Sequence, residues 1–173
     1  ELCRLIADYD GVELNFIGPS FLPRVNFIPG ASLSEFKTRF SGFDEDRLWV
    51  DLPKLCFSKM IDSYSERTMQ GAILPPRVSY IHSVVSFILK DLKDLFFLCG
   101  VFSSVILDFF VKISGKSYLL KSTLYKLPIP GFHDSTIRKE VLERALLLNC
   151  LTNTYSVMWE SCWSPSNIGW HRV

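Results

Sequence analysis

The longest regular hydrophobic pattern in the chain spans residues 92–113. Apolar side chains recur there at steps of mostly three and four residues, which places them on one side of an α-helix: Leu92, Leu95, Phe96, Cys99, Phe102, Ile106, Phe109, Phe110 and Ile113. Asp94 and Asp108 bound the uninterrupted apolar run, which is shorter than the roughly 18 residues of a membrane-spanning helix. We therefore predict a buried central helix covered by strands, and no membrane contact.

Shorter patterns on the N-terminal side of this helix predict an antiparallel sheet. Residues 83–89 are rich in β-branched and aromatic side chains, which is typical of a buried strand. Two further segments, closed by a turn at 62–65 and by Pro75-Pro76, predict a hairpin beside it. Strands are predicted over residues 47–52, 55–61, 68–74 and 83–89. Ser32 or Ser34 is expected to cap a short helix that extends through residue 40.

A second long helix is predicted near the C-terminus. Asp134, Ser135 and Thr136 are favourable N-cap residues, and an apolar stripe follows: Ile137, Val141, Leu142, Ala145, Leu146, Leu148 and Leu151. We expect this helix to continue past Tyr155 towards Pro165. The fold class is therefore α+β, with an antiparallel sheet packed against a central apolar helix and a C-terminal helix. Residues 1–173 form one domain, with its core in 48–130 and a helical segment in 134–163.

The composition excludes a disordered chain, because 48% of the 173 residues are hydrophobic and 21% are charged. The five cysteines are widely spaced and lack the spacing of a zinc site: Cys3, Cys56, Cys99, Cys150 and Cys162. We expect reduced, buried thiols. The chain starts without Met and shows no signal-peptide pattern, so we expect a cytoplasmic fragment of a longer protein.

Candidate catalytic groups do not form a recognisable constellation. The histidines His82, His133 and His171 lack the spacing of metal ligands, and neither a phosphate-binding glycine loop nor a nucleophile elbow is present. Two carboxylate pairs, Asp91 with Asp94 and Glu140 with Glu143, lie near lysines on predicted helices, which indicates solvated surfaces rather than acid–base pairs. We expect no catalytic residue and no metal site in this chain.

Basic residues concentrate after the central helix, although the net charge of the whole chain is only +1. Residues 109–133 contain no Asp or Glu and carry Lys112, Lys116, Lys121 and Lys126. Ser117, Tyr118 and other hydroxyl-bearing residues are interleaved with these lysines. Lysines can hold phosphates while hydroxyl and aromatic groups contact sugars or bases. The pattern is compatible with nucleic-acid binding, although by composition alone an ordinary solvated surface is the more common explanation.

Several segments in the same order resemble the target-recognition region of large bacterial N6-adenine DNA methyltransferases, including the single-chain type IIG restriction–modification enzymes. SERTMQGAILPP (65–76) resembles the family segment "ERT…A…LPP". LFFLCGVFSS (95–104) and VILDFF (105–110) are similar to "LLGLLNS" and "LFDFY", although Ser103 stands where many relatives carry Asn. Gly115-Lys116 and LPIP (127–130) resemble the basic loop and the strand that close the unit. ALLLNCLT (145–152) with Trp159-Glu160 is similar to a stretch that follows it.

The resemblance implies a DNA-recognition domain, non-catalytic by itself, that serves a methyltransferase in bacterial defence. The catalytic Asn/Asp-Pro-Pro-Tyr/Phe motif is absent, since Leu74 precedes the prolines, and no cofactor-binding glycine motif is present. S-adenosylmethionine is accordingly expected only for the parent chain, and the fragment itself takes no cofactor. The expected partners are double-stranded DNA and the catalytic domain of the same parent chain. The expected DNA-binding residues are Lys116, Ser117, Lys121, Lys126, Arg67 and Arg77.

Two alternatives stay open. Arg67 is also a candidate for an ion pair in the core or at the sheet edge. The domain as a whole could instead be a protein-interaction or structural domain that packs against the rest of its parent chain. Exposed Trp163 and Trp170 would favour that alternative, whereas a basic groove at 116–126 would favour DNA. An independent small enzyme is a more remote third.

Overall fold

A computed structural model describes residues 11–21, 30–39, 42, 44, 47–62, 64–130 and 135–164. These contain three strands and six α-helices, together with 3-10 turns at Leu14–Phe16, Trp49–Asp51 and Asn153–Tyr155. The strands are β1 (Lys54–Ser58), β2 (Gly71–Leu74) and β3 (Val84–Phe87). The helices are α1 (Leu33–Thr38), α2 (Leu92–Phe102), α3 (Val105–Ile113), α4 (Lys121–Leu124), α5 (Ser135–Asn149) and α6 (Ser156–Cys162). The predicted α+β class is confirmed.

The sheet is antiparallel, with β1 between β2 and β3. Cys56 lies opposite Ala72 on one side and opposite Ser86 on the other, so the predicted hairpin and the neighbouring strand are both present. β1 is buried from Lys54 to Phe57, as expected for a central strand. The outer edge of β2 is also covered, because Asn149 Oδ1 accepts the Ile73 N–H at 2.9 Å and Tyr155 donates to the Ile73 carbonyl at 3.0 Å.

The strand predicted over 47–52 is wrong, and Lys54 explains why. Its side chain is fully buried, and its ammonium donates to the carbonyls of Leu52 at 2.7 Å and Val78 at 3.2 Å. The ring of Trp49 lies 4.5 Å away and adds a cation–π contact. Curling the backbone around the ammonium produces the 3-10 turn at Trp49–Asp51 instead of a strand. Burial lowers the pKa of Lys54.

α2 occupies the centre of the domain. It contacts β1 and β2 on one side and α5 and α6 on the other, so its side chains are buried nearly all around. Phe102 packs α2 against the sheet, because its ring centroid lies 5.4 Å from that of Phe57 in β1 and 6.5 Å from that of Phe87 in β3. Gly100 permits close packing on α5, since a Cβ there would lie 2.6 Å from Val141 Cγ1.

The single helix predicted over 92–113 is broken into α2 and α3, which are bent by 62°. Ser103 ends α2, where its hydroxyl donates to the Cys99 carbonyl at 2.8 Å. Ser104 then caps α3 by accepting the Leu107 N–H at 3.3 Å. Among the described residues no single helix is long and apolar enough to span a membrane, although α2 and α3 together reach that length and composition across their bend.

The break changes which residues are buried after Phe102. The predicted burial of Ile106, Phe109, Phe110 and Ile113 is wrong, because all four are exposed. α3 buries Leu107, Asp108 and Val111 instead. Rotation at the serine pair therefore turns the opposite side of α3 towards the core.

The C-terminal helix is also interrupted. α5 ends at Asn149, and α6 follows only after the turn at Asn153–Tyr155, so one continuous helix through 134–163 is wrong. Glu143 is buried rather than solvated, which corrects the prediction for its pair with Glu140. Trp159 and Trp163 stack with ring centroids 4.6 Å apart and are half-buried, while Trp170 lies outside the described residues.

Candidate nucleic-acid interface

The basic segment 116–126 is held against the end of the sheet. Gly115 has a φ of 64°, which favours glycine and turns the chain out of α3. The segment then runs beside the extension of β1, where the Leu119 N–H donates to the Lys59 carbonyl at 2.8 Å and the Ile61 N–H donates to the Ser117 carbonyl at 3.1 Å. Residues 127–130 do not form the strand that the resemblance implies, since they have no strand pairing in the structure.

This pairing creates a pocket of about 360 Å³ between 80–86, Lys59 and the start of α4. We call it the lysine pocket. Its lining residues include three basic side chains, and no aspartate or glutamate is among the described residues that line it: Lys59, Tyr80, Ile81, His82, Val84, Val85, Ser86, Leu119, Leu120 and Lys121. A site with this lining attracts anions, because its cations are not neutralised locally.

The positions of the basic groups follow from backbone contacts. The Lys59 N–H donates to the Ser83 carbonyl at 2.7 Å, which fixes the end of β1 beside the loop before β3. The Lys59 ammonium lies 3.0 Å from His82 Nε2. Lys121, the first residue of α4, also lines the pocket and is exposed.

Tyr80, which is half-buried, also lines the pocket. The Tyr80 hydroxyl is hydrogen-bonded to Ser86, and its ring packs edge-on against Trp49 at 5.3 Å. Burial raises the pKa of Tyr80, so the hydroxyl stays neutral at physiological pH. The pocket lining therefore combines lysines with a hydrogen-bonded pair of hydroxyls.

The other predicted residues of the basic segment surround α4. Lys116 is exposed and its ammonium donates to Thr123 Oγ1 at 3.0 Å, across the helix from Lys121. Ser117 and Lys126 are exposed as well. Tyr125 anchors this region to the sheet, because its ring contacts Phe87 edge-on at 5.7 Å. Lys116, Ser117, Lys121 and Lys126 therefore belong to one surface region.

The guanidinium of Arg67 is already engaged by other groups of the domain. Its Nη2 donates to the Ser103 carbonyl at 2.7 Å, and its Nε lies 3.6 Å from Asp108 Oδ2. This is the ion pair that the sequence left as an alternative. Because Asp108 offsets its charge, Arg67 offers less attraction to an external anion than an unpaired arginine.

Arg77 lies at the opposite end of the sheet. Its backbone N–H donates to the Val50 carbonyl at 2.8 Å, next to the start of β1, whereas Lys59 follows the end of β1. Its side chain is exposed beside Lys37 and Asp51, and its φ of 67° is unusual for a residue other than glycine. The structure does not bring Arg77 together with the basic segment.

Sequence reasoning missed Lys59 and His82. Lys59 lies in a predicted strand and His82 in a turn, and 23 positions separate them along the chain. Only the register of β1 with β3 brings them together. A lysine immediately after a buried strand was the available signal, although it is too common to identify a site.

The arrangement can hold a phosphate or another anion without metal or cofactor. Lysine ammonium groups are point charges that bind phosphate oxygens, while the hydroxyls of 116–126 can accept or donate hydrogen bonds. Comparisons with family models, with curated proteins and with solved structures found no match for this chain.

Proposed function

We propose that this domain binds double-stranded DNA and recognises a target sequence for an adenine-specific DNA methyltransferase or restriction–modification enzyme. Methyl transfer is assigned to the catalytic domain of the parent chain, which would also bind S-adenosylmethionine. The observation that carries the proposal is the lysine pocket, where Lys59, His82 and Lys121 converge without a carboxylate among the described lining residues. The resemblance of 65–130 to target-recognition regions supplies the class of enzyme.

Phosphate contacts would position the duplex. Lys59 and Lys121 both line the pocket, so a phosphate bound there would receive charge from both. Lys116 and Lys126 extend the positive region beyond the pocket on either side of α4. We assign Lys59 and Lys121 to the DNA backbone.

Sequence readout requires groups that reach base edges. Ser117 is an exposed polar residue of the same basic segment, and we assign it to the major groove. Arg67 is reassigned from DNA binding to structure, because Asp108 and the Ser103 carbonyl already hold its guanidinium. Arg77 would contact only DNA that extends to the far end of the sheet.

The test measures the binding of a fluorescein-labelled duplex to the 173-residue chain at low salt by fluorescence anisotropy. Lys59→Ala with Lys121→Ala should weaken binding to every duplex, because two phosphate contacts are lost. Lys90→Ala with Lys93→Ala is the matched control, since both lysines are exposed and the same charge is removed away from the pocket. Equal loss in both variants, or no loss in the first, would refute the assignment.

A separate measurement tests the assignment of S-adenosylmethionine binding to the catalytic domain of the parent chain. Calorimetric titration of the chain with S-adenosylmethionine should give no heat of specific binding. Stoichiometric binding would place the cofactor in this domain and overturn that part of the proposal.

A further inference from the structure

Helix α3 turns its charged residues inward and most of its apolar residues outward. Asp108 accepts the backbone N–H groups of Thr68 and Met69, and the Lys112 ammonium donates to the Ser65 carbonyl at 2.8 Å. The outer side chains are between 45% and 72% exposed, and we call them the α3 apolar face: Val105, Ile106, Phe109, Phe110 and Ile113. An ordinary surface helix has the opposite arrangement.

The orientation of α3 is fixed by these contacts. Turning the helix about its axis would break the hydrogen bonds of Asp108 and Lys112 and expose Leu107 and Val111, which are buried. The apolar face therefore stays outward in the folded domain. Contiguous exposed apolar side chains of this kind mark interaction surfaces.

A groove lies alongside this face. It has a volume of about 470 Å³ and runs between the α2–α3 junction, 128–130 and Val141 of α5. Ile106 belongs both to the groove and to the α3 apolar face. The groove and the lysine pocket share no lining residue. The α3 apolar face and the adjacent groove together can accommodate the apolar stripe of an amphipathic helix.

The charged residues that follow α3 and precede the groove along the chain are lysines. Lys116 follows the end of α3, Lys126 precedes the groove residue Pro128, and 109–130 contains no Asp or Glu. On the α5 side, Glu140 next to Val141 is paired with Arg144 at 3.2 Å. A ligand of complementary charge would carry acidic residues beside its apolar stripe.

We propose that the α3 apolar face and its groove bind an amphipathic helix of a partner polypeptide, with acidic residues flanking its apolar stripe. A second copy of the chain fits less well, because pairing the two faces would oppose lysines of like charge. A lipid surface fits less well too, because it cannot fill the concave groove.

The probe is a labelled synthetic helix of about 18 residues, or about five turns, with leucines on one side and glutamates along both edges. A second peptide carries lysine at each glutamate position. The 173-residue chain should bind the acidic-edged peptide at least about tenfold more tightly. Phe109→Glu should weaken that binding about tenfold or more, as expected for an aromatic anchor. Val157→Glu on α6 is the control, because Val157 is equally apolar and 73% exposed, and it should bind as wild type does.

Circular dichroism and urea unfolding establish that the variants fold, and Ile113→Glu provides an independent second change on the face. Binding of neither peptide, equal binding of both, or wild-type binding by Phe109→Glu and Ile113→Glu would overturn the proposal. Sedimentation should show a monomer; a dimer that Phe109→Glu dissociates would assign the face to a second copy. Phosphatidylserine vesicles should not retain the chain, and retention lost in Phe109→Glu would assign the face to a bilayer.

Discussion

Asp108 Oδ1 accepts the backbone N–H of Thr68 at 2.9 Å, although 40 positions separate the two residues. The same oxygen accepts the Met69 N–H at 2.5 Å, and Asp108 Oδ2 faces Arg67. Lys112 completes the connection through the Ser65 carbonyl. Two of the segments that resemble recognition-domain motifs, 65–76 and 105–110, are therefore bound directly to each other.

We predict that Asp108→Ala lowers the free energy of unfolding by about 3 kcal/mol, because it leaves buried N–H groups of Thr68 and Met69 without an acceptor. Asp94→Ala is the control, since its ion pair with Arg138 is partly exposed and should contribute less than about 1 kcal/mol. Urea unfolding of both variants measures the difference. Equal, small losses would mean that the Asp108 contacts are not formed.

The second prediction contrasts two apolar residues on either side of the serine break. Phe102 is 3% exposed and Ile106 is 68% exposed. Phe102→Ala should therefore cost about 3–5 kcal/mol of stability, whereas Ile106→Ala should stay within about 0.5 kcal/mol. Urea melts decide between this structure and a continuous helix, which would make both changes costly.

The third prediction concerns alkaline pH. Burial raises the pKa of the Cys99 thiol from 9.0 to about 11. The folded state therefore keeps a proton that the unfolded state loses, and this contribution to stability is present below pH 9 and lost as pH rises through about 11. Cys56, Cys150 and Cys162 act in the same direction, with thiol pKa values raised by burial to about 11, about 12 and about 11.

Cys99→Ala should make the fall in stability between pH 9 and 11 shallower, by up to about 1.4 kcal/mol per pH unit for one proton. Lys54 works against the thiols, because its lowered pKa makes stability rise with pH. Comparing slopes of wild type and Cys99→Ala removes that shared contribution. Parallel pH profiles would show that Cys99 ionises equally in both states.

The sequence predicted the parts of this fold that depend on local pattern. The strands on either side of β1 and the Ser32 cap of α1 each carry a short-range signal. The break at Ser103 and Ser104 was not predicted, because apolar residues continue on both sides of it with helical spacing. The two serines were visible, but nothing local shows that their hydroxyls bind the helix backbone instead of facing solvent.

The candidate site was predictable only in part, for a related reason. The basic segment 116–126 is visible as a run of lysines without acids, whereas Lys59 and His82 join it through sheet register. Arg67 was correctly given two possible roles, because a charged residue reveals its partner only when distant segments meet. Asp108 follows the uninterrupted apolar run, and its buried position could not be predicted from spacing.

The most direct test of DNA binding through the lysine pocket is the dependence of affinity on salt concentration. For wild type, the logarithm of the association constant should fall linearly with the logarithm of salt concentration, because each phosphate contact releases counterions. The slope of Lys59→Ala with Lys121→Ala should be less steep by about two units, one for each lost contact, while Lys90→Ala with Lys93→Ala keeps the wild-type slope. The same slope in all three proteins would contradict the account, because phosphates would then not be bound at the pocket.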